Sequence, residues 1–366
     1  MKVRRSILTS IISPWIGIIF STLSGNKKSI AFYFALISVL FVPIETNDKY
    51  YYQTLYLDFY NQGVDELIYL LGFKLDFIFY PLLFFGSKFK IPFELINFIF
   101  SYGTLYFLFS FLEQFVSPKN LRKGFVLILI TLSFADFFSG IRFYLALSLL
   151  LFSLIYPGLL KRLGIGLIAV LVHPGIAIHF MTFSIFFNRK NSELPLKLIL
   201  FLALLVGLVG MEVFISALMT ALPINELIEN KLTGYFLEQS KTIRELSEGN
   251  LNFKLFFYYR IAIIFFMCHH GIILFMKKKF SRFDSLSIIS LSISFLTLFI
   301  PEVFLRYSLL YIPFYIIVIL SPKKLIAKQL FSLYCYVYFT LQVIVYSYQI
   351  IGEFGIKTLT FNLFNE

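Results

Sequence analysis

Apolar runs follow one another along almost the whole chain, and most of the gaps between them are short and basic. The gaps carry Lys27-Lys28, Arg122-Lys123, Lys161-Arg162, Arg189-Lys190, Lys277–Lys279 and Lys323-Lys324. In lipid every backbone polar group must find its partner within the protein, so runs of this kind fold as helices. Lysine and arginine confined to alternate gaps mark the cytoplasmic side of such helices. Composition supports this reading. Only 14% of the residues are charged, against about 25% in a soluble domain. The net charge of +12 lies in the gaps and forms no stripe along one face, which speaks against nucleic acid as a partner. The expected fold is an all-α, polytopic transmembrane bundle of about 10–12 spans, a single integral-membrane domain over residues 1–366 with membrane lipids as its surroundings. Met1–Arg5 is basic and an apolar stretch follows, but no A-x-A-like site closes it, so no cleavable signal peptide is expected.

The basic gaps set the order of the spans. Ser6–Leu23 and Ile30–Val42 come first. The segment 43–66 is polar and tyrosine-rich, with Tyr50, Tyr51, Tyr52, Tyr56 and Tyr60 beside Asp48, Asp58, Asp65 and Glu66; lacking a basic excess, it reads as an outer loop. Segment 67–90 is apolar but interrupted by Lys74, Asp76 and Pro81. Were it a full span, every later basic gap would fall on the wrong side, so it reads as an interfacial or re-entrant piece. Phe93–Phe111, Phe125–Phe138 and Leu196–Leu222 read as spans, and 223–254 as the longer outer loop, its charges nearly balanced. Leu255–Met276, Leu286–Ile300, Phe304–Leu320 and Leu330–Ile350 complete the series.

Within Ser139–Ser184 the chain places one arginine, Arg142, at the start of an apolar run and ends the next run at His173-Pro174-Gly175. The two runs are joined by a Pro157-Gly158 turn and Lys161-Arg162. Arg142 and His173 are therefore expected on neighbouring antiparallel helices, within about 5–8 Å of one another in depth. An ionisable group in such a run is a functional-site hypothesis.

These residues carry a resemblance. Arg142-x-x-Leu145-Ala146, a short basic turn at Lys161-Arg162, and a helix ending in His173 are similar to the EpsG-like branch of the Wzy-type bacterial polysaccharide polymerases. Asp48-Lys49-Tyr50-Tyr51-Tyr52 loosely matches an Asp-Tyr-x-x-Tyr-like stretch of that family's first outer loop. Where the family has a small polar residue after the histidine, Pro174-Gly175 stands here. The resemblance implies a glycosyltransferase of the O-antigen or exopolysaccharide polymerase type, multi-pass in the bacterial inner membrane. It would join undecaprenyl-pyrophosphate-linked oligosaccharide repeats at the outer face, beside a flippase and a chain-length regulator. No cofactor and no metal is implied, since the donor is already activated.

Three arginines, Arg142, Arg260 and Arg306, fall near the deduced outer face. A guanidinium is always charged and grips phosphate bidentately. Arg142 and Arg306 are expected to stabilise the departing pyrophosphate, with Arg260 auxiliary and Tyr307 beside it in binding substrate. The alternative is that each pairs with an acid such as Asp136, Glu212 or Glu302, or snorkels to headgroups. His173 is expected to activate the acceptor hydroxyl; otherwise it is a hydrogen-bonded helix end. Asp48 and Tyr51 are expected to bind sugar, though such tyrosines also form interfacial belts. His179 reads as structural, His269-His270 as interfacial, and Cys268 and Cys335 as small core residues. Two other functions compete: a metal-dependent transferase using Asp65-Glu66 as ligands, and a transporter or flippase of lipid-linked sugars. The latter predicts internal repeats, and none is visible.

Overall fold

The structure, a computed structural model, describes residues 14–41, 48–132, 137–138, 140–187, 193–209, 251–298, 301–320 and 326–348. Among these residues every regular element is a helix. The chain divides into two compact units, Met1–Phe180 with Ile319–Glu366, and Met181–Val318.

The first unit begins with a helical hairpin, α1 (Pro14–Ser24) and α2 (Lys27–Leu40). Gly25 takes a positive φ of 72° between them, a conformation that costs glycine least. Asn26 then caps α2, its side chain accepting from the amides of Lys28 and Ser29. The hairpin closes tightly: a Cβ at Gly17 would lie 2.6 Å from the Tyr33 ring.

Next come α3 (Asp48–Asn61), α4 (Val64–Phe73) and α5 (Phe79–Lys88). The segment expected as an outer loop, 43–66, is thus mostly helical. Tyr52, Leu55 and Phe59 share one face of α3 and are buried, packing through Tyr52 on Phe79 and Phe59 on Phe84. Lys88 reaches back to the carbonyls of Tyr60 and Gln62 and so caps the end of α3. Segment 67–90 is two helices, α4 and α5, of ten residues each. Each is about 15 Å long, half of a roughly 30 Å hydrocarbon core. The break at 74–78 follows from Lys74 and Asp76, which cannot sit in an apolar face.

The long helix α6 (Phe93–Phe115) comes next, followed by α7 (Pro118–Thr131), α8 (Ile141–Ser153) and α9 (Leu159–Val172). A single 3₁₀ turn, Pro174–Ile176, leads into α10 (Ala177–Phe186). Side-chain pairings give the directions. Phe32 meets Phe98 and Lys27 meets Glu113, so α2 and α6 are antiparallel. Gly103 approaches Leu145 and Phe107 packs on Phe152, so α6 and α8 are parallel. The turn 154–158 returns the chain as α9. Consequently Lys27, Arg122 and Lys161 gather at one end of the unit, and Arg142 and His173 at the other.

The second unit contains α11 (Glu193–Val209), α12 (Leu251–Met276), α13 (Arg282–Leu296) and α14 (Pro301–Ile319). A reciprocal cap between Ser281 and Asp284 opens α13, and Lys277 pairs with Asp284. The final helix, α15 (Ile326–Tyr348), returns to the first unit, where Tyr334 hydrogen-bonds Thr131 at 2.8 Å.

Among the described residues α6 is the one helix long and apolar enough to cross a membrane by itself. Pro14–Ser24, Ile141–Ser153, Pro174–Phe186, Arg260–Met276 and Val303–Ile319 are apolar but shorter. Pro-Gly breaks at 157–158 and 174–175 divide what the sequence presents as longer runs. Of the expected loop 223–254, residues 223–250 lie outside the described residues, and α12 already begins at Leu251.

Candidate functional site

The site lies where the break between α4 and α5 meets the ends of α8 and α9, and Asp76 is its centre. Asp76 is only 3% exposed. Its Oδ2 accepts from Arg142 Nη1 at 3.0 Å and its Oδ1 lies 3.0 Å from His173 Nδ1. The loop that carries it is pinned by its backbone: Ile78 N–H donates to Leu171 O at 3.0 Å. Leu171 is in the last turn of α9, where carbonyls lack helical partners. The same contact that completes α9 therefore holds Asp76 against His173.

Arg142 sits in the first turn of α8, the positive end of a helix dipole, where a cation is disfavoured. Asp76 offsets that penalty. The same Nη1 also donates to the Tyr80 hydroxyl at 2.7 Å, so both of its protons are used. The guanidinium lies 5.5 Å from the centre of the Tyr52 ring and 5.7 Å from that of Tyr80. Burial pushes both of these tyrosines up, with Arg142 opposing, so they remain neutral hydroxyls. The Nε–Nη2 edge of Arg142 makes no hydrogen bond among the described residues, and the side chain is 16% exposed. An arginine held at one nitrogen with the adjoining edge open is prepared for a bidentate oxyanion.

His173 is the C-cap just past Val172, the last residue of α9, and has left the helix, with φ −152° and ψ 113°. Its amide still bonds Ala169 O at 3.0 Å, and Phe143 meets its ring edge-on at 5.6 Å. Pro174-Gly175, the departure from the family pattern, fits this geometry. A Cβ at position 175 would stand 3.0 Å from His173 Nε2, closer than ordinary van der Waals contact, so only glycine lets the backbone pass this near the ring without the neighbour giving way.

The sequence expectations meet this structure unevenly. Arg142 and His173 are brought together as neighbouring antiparallel helices should bring them. Arg142 does pair with a buried acid, but with Asp76, whereas Asp136 and Glu212 lie outside the described residues. Asp48 opens α3 and lies within electrostatic range of Arg142 and Tyr51. Tyr51 is 43% exposed beside them. Arg260, Arg306 and Tyr307 belong to the second unit. There Arg260 donates to Leu298 O, just past the end of α13, and lies over Phe304. Arg306 is exposed and Tyr307 half-buried on α14. Asp65 and Glu66 occupy the first turn of α4, favoured there by the helix dipole. Adjacent helical positions diverge by about 100°, so together they present one carboxylate to any one point.

Two bland readings change, and a third is met. His270 is fully buried, its Nδ1 2.7 Å from the Tyr311 hydroxyl, so it is a core residue, while His269 is half-exposed and meets Tyr315. Cys268 is exposed and Cys335 is half-exposed, so neither is a core residue. His179 is fully buried, as a structural histidine would be.

Residues 28–361 match the model of the EpsG family. The chain belongs to the EpsG family. Membership ties it to membranes and to polysaccharide polymerisation. No curated protein and no solved structure gives a match. Arg142 and His173, two of the residues that carry the resemblance in the sequence, are the ones that Asp76 links. Asp76 itself was visible only as an acid inside an apolar segment, a signal that by itself marks a functional site.

Proposed function

We propose that this EpsG-family chain is a multi-pass protein of the bacterial inner membrane that polymerises lipid-linked glycan. It joins undecaprenyl-pyrophosphate-linked oligosaccharide repeats into long surface polysaccharide at the outer face. The observation that carries the reading is the open edge of Arg142 next to the His173–Asp76 pair. Its position supports the sidedness: the basic gaps sit at the opposite end of the same unit, and basic gaps face the cytoplasm. The short helices α4 and α5 would then lie on the outer side as a re-entrant cover.

In this reading His173 takes the proton of the acceptor sugar hydroxyl as its oxygen bonds the anomeric carbon of the donor. The carbon–oxygen bond to pyrophosphate breaks, and the electron pair leaves with the pyrophosphate. Arg142 stabilises that charge through its open edge, already fixed in place by Asp76 and Tyr80. Asp48 and Tyr51 bind the sugars beside it. A flippase supplies the lipid-linked repeat and a chain-length regulator limits the product. The reading is argued from the first unit alone; Arg260, Arg306 and Tyr307 lie in the second.

Deleting the gene and resolving surface glycan on a gel tests the proposal. Loss of a polymerase leaves single-repeat material, and the intact gene restores the ladder. An unchanged ladder in the deletion strain would overturn it.

A further inference from the structure

We propose that Asp76 is a positioning residue that fixes the tautomer of His173, making Nε2 the atom that takes the proton. The inference rests on the polymerase reading for what that proton transfer does, but not for the tautomer itself. The Asp76 carboxylate pairs at 3.0 Å with a partner that cannot lose its charge, Arg142. An ionised carboxylate only accepts hydrogen bonds. The 3.0 Å contact from His173 Nδ1 to Asp76 Oδ1 therefore requires the proton on Nδ1. In the neutral ring Nε2 then carries the lone pair.

Three further features agree. Asp76 lies just ahead of the N-terminus of α5, where a carboxylate is favoured. The Ile78–Leu171 backbone bond keeps the Asp76 loop in register with His173. Gly175 keeps a side chain away from Nε2. One carboxylate thus serves both halves of the reaction, Oδ1 orienting the imidazole and Oδ2 the guanidinium. When the imidazole gains a proton at Nε2, Asp76 stabilises the cation formed.

The test uses the full chain, ¹⁵N-labelled at histidine, in proteoliposomes. The chain has four histidines, so subtracting the spectrum of His173→Gln isolates the His173 signals. On the alkaline side of neutrality, solid-state ¹⁵N spectra distinguish a protonated from a bare ring nitrogen. The expected result is Nδ1 protonated and Nε2 bare. In Asp76→Asn the amide oxygen still accepts from Arg142, and its NH₂ turns toward His173. The proton should move to Nε2, and turnover should fall by about 100-fold or more. KM for the lipid-linked repeat should change little. Asp76→Glu, which restores a carboxylate, should recover part of the turnover and the original tautomer. A wild-type spectrum with Nε2 protonated overturns the inference, whatever the variants do. So does an Asp76→Asn protein with wild-type tautomer and turnover. The spectra need no substrate, so a failure of the polymerase reading leaves them standing, and their failure leaves polymerisation untouched.

Discussion

Asp76 and His173 are 97 residues apart in sequence and 3.0 Å apart in the fold, joined through a carboxylate oxygen and a ring nitrogen. The other oxygen of Asp76 holds Arg142. A buried acid between a fixed cation and an imidazole is an arrangement in which each partner's orientation depends on the other two. Removing any one should be felt at the remaining pair.

Arg142→Ala should abolish long-chain glycan while membrane levels of the protein stay near normal. Loss of a preorganised donor to a developing oxyanion costs about 100- to 1,000-fold in turnover. Arg142→Lys should fail almost as badly. Lysine can still reach Asp76, but it lacks the fork that leaves an edge open after Nη1 is bound to Asp76 and Tyr80. Glycan ladders and initial rates in isolated membranes check both. A lysine variant with full chain length would reduce Arg142 to a generic charge.

Polymerisation in purified membranes should survive a strong chelator, because Arg142 supplies positive charge where the leaving group departs. Asp65→Asn and Glu66→Gln should be mild. Under the competing metal-dependent reading these carboxylates are the hard oxygen ligands that Mg²⁺ or Mn²⁺ requires. Activity that collapses on chelation, returns with added metal, and is lost in both substitutions would establish that reading instead.

The parts of this fold legible in sequence are those set by strong local chemistry. Apolar runs and basic gaps foretell helices and their alternation, and α2, α6, α8 and α9 run in the directions the gaps require. Arg142 and His173 stand out because charge is rare in such runs. One departure has a plain cause, that polarity was read as loop. The segment around Tyr50–Tyr60 is polar by composition, yet Tyr52, Leu55 and Phe59 already repeat at helical spacing once tyrosine counts as apolar. Asp76 was seen as an interruption of a span, when it is the residue for which the interruption exists. Its pairing with two residues so distant in sequence is a tertiary fact, and no local pattern encodes it. The second unit was less legible: Arg260 resembles Arg142 in sequence context, but its guanidinium meets a backbone carbonyl, Leu298 O, where Arg142 meets a buried acid.

Lys49 ties α3 to the end of α2, donating to Ser38 O at 2.8 Å and Phe41 O at 2.5 Å. Burial pushes it down from 10.5 to about 8, with Glu94 opposing. Between these values the unfolded chain holds a proton that the folded chain has released. Stability should therefore rise as pH increases from about 8 toward 10.5. Thermal unfolding in detergent across that window should show the rise, and Lys49→Met should abolish it. The variant should also be less stable near neutrality by about 1–3 kcal/mol, since buried carbonyls lose their donor. A pH profile identical to that of the unmodified protein would mean that Lys49 titrates normally.

Sidedness decides whether the site can meet an exported substrate, and it can be measured without any activity. Cys268 and Cys335 are first replaced by serine, since both have exposed surface. Single cysteines then go in at Asn61, at the end of α3, and at Lys279, between α12 and α13. Ser281 is avoided because its hydroxyl completes the cap of α13, and losing such a cap costs about 1 kcal/mol. Asn61 lies in the acidic, tyrosine-rich segment next to the cover that carries Asp76; Lys279 lies in the most basic gap of the chain. An impermeant thiol reagent applied to intact spheroplasts should label position 61 and spare position 279, which reacts only after the membrane is opened. The contrast follows from the positive-inside bias alone, so it does not depend on the polymerase mechanism. A position 61 that reacts only after the membrane is opened would put the His173–Asp76–Arg142 end of the first unit in the cytoplasm, and outer-face polymerisation would have to be abandoned; labelling at 279 in intact cells would overturn the assignment of that basic gap to the cytoplasmic side.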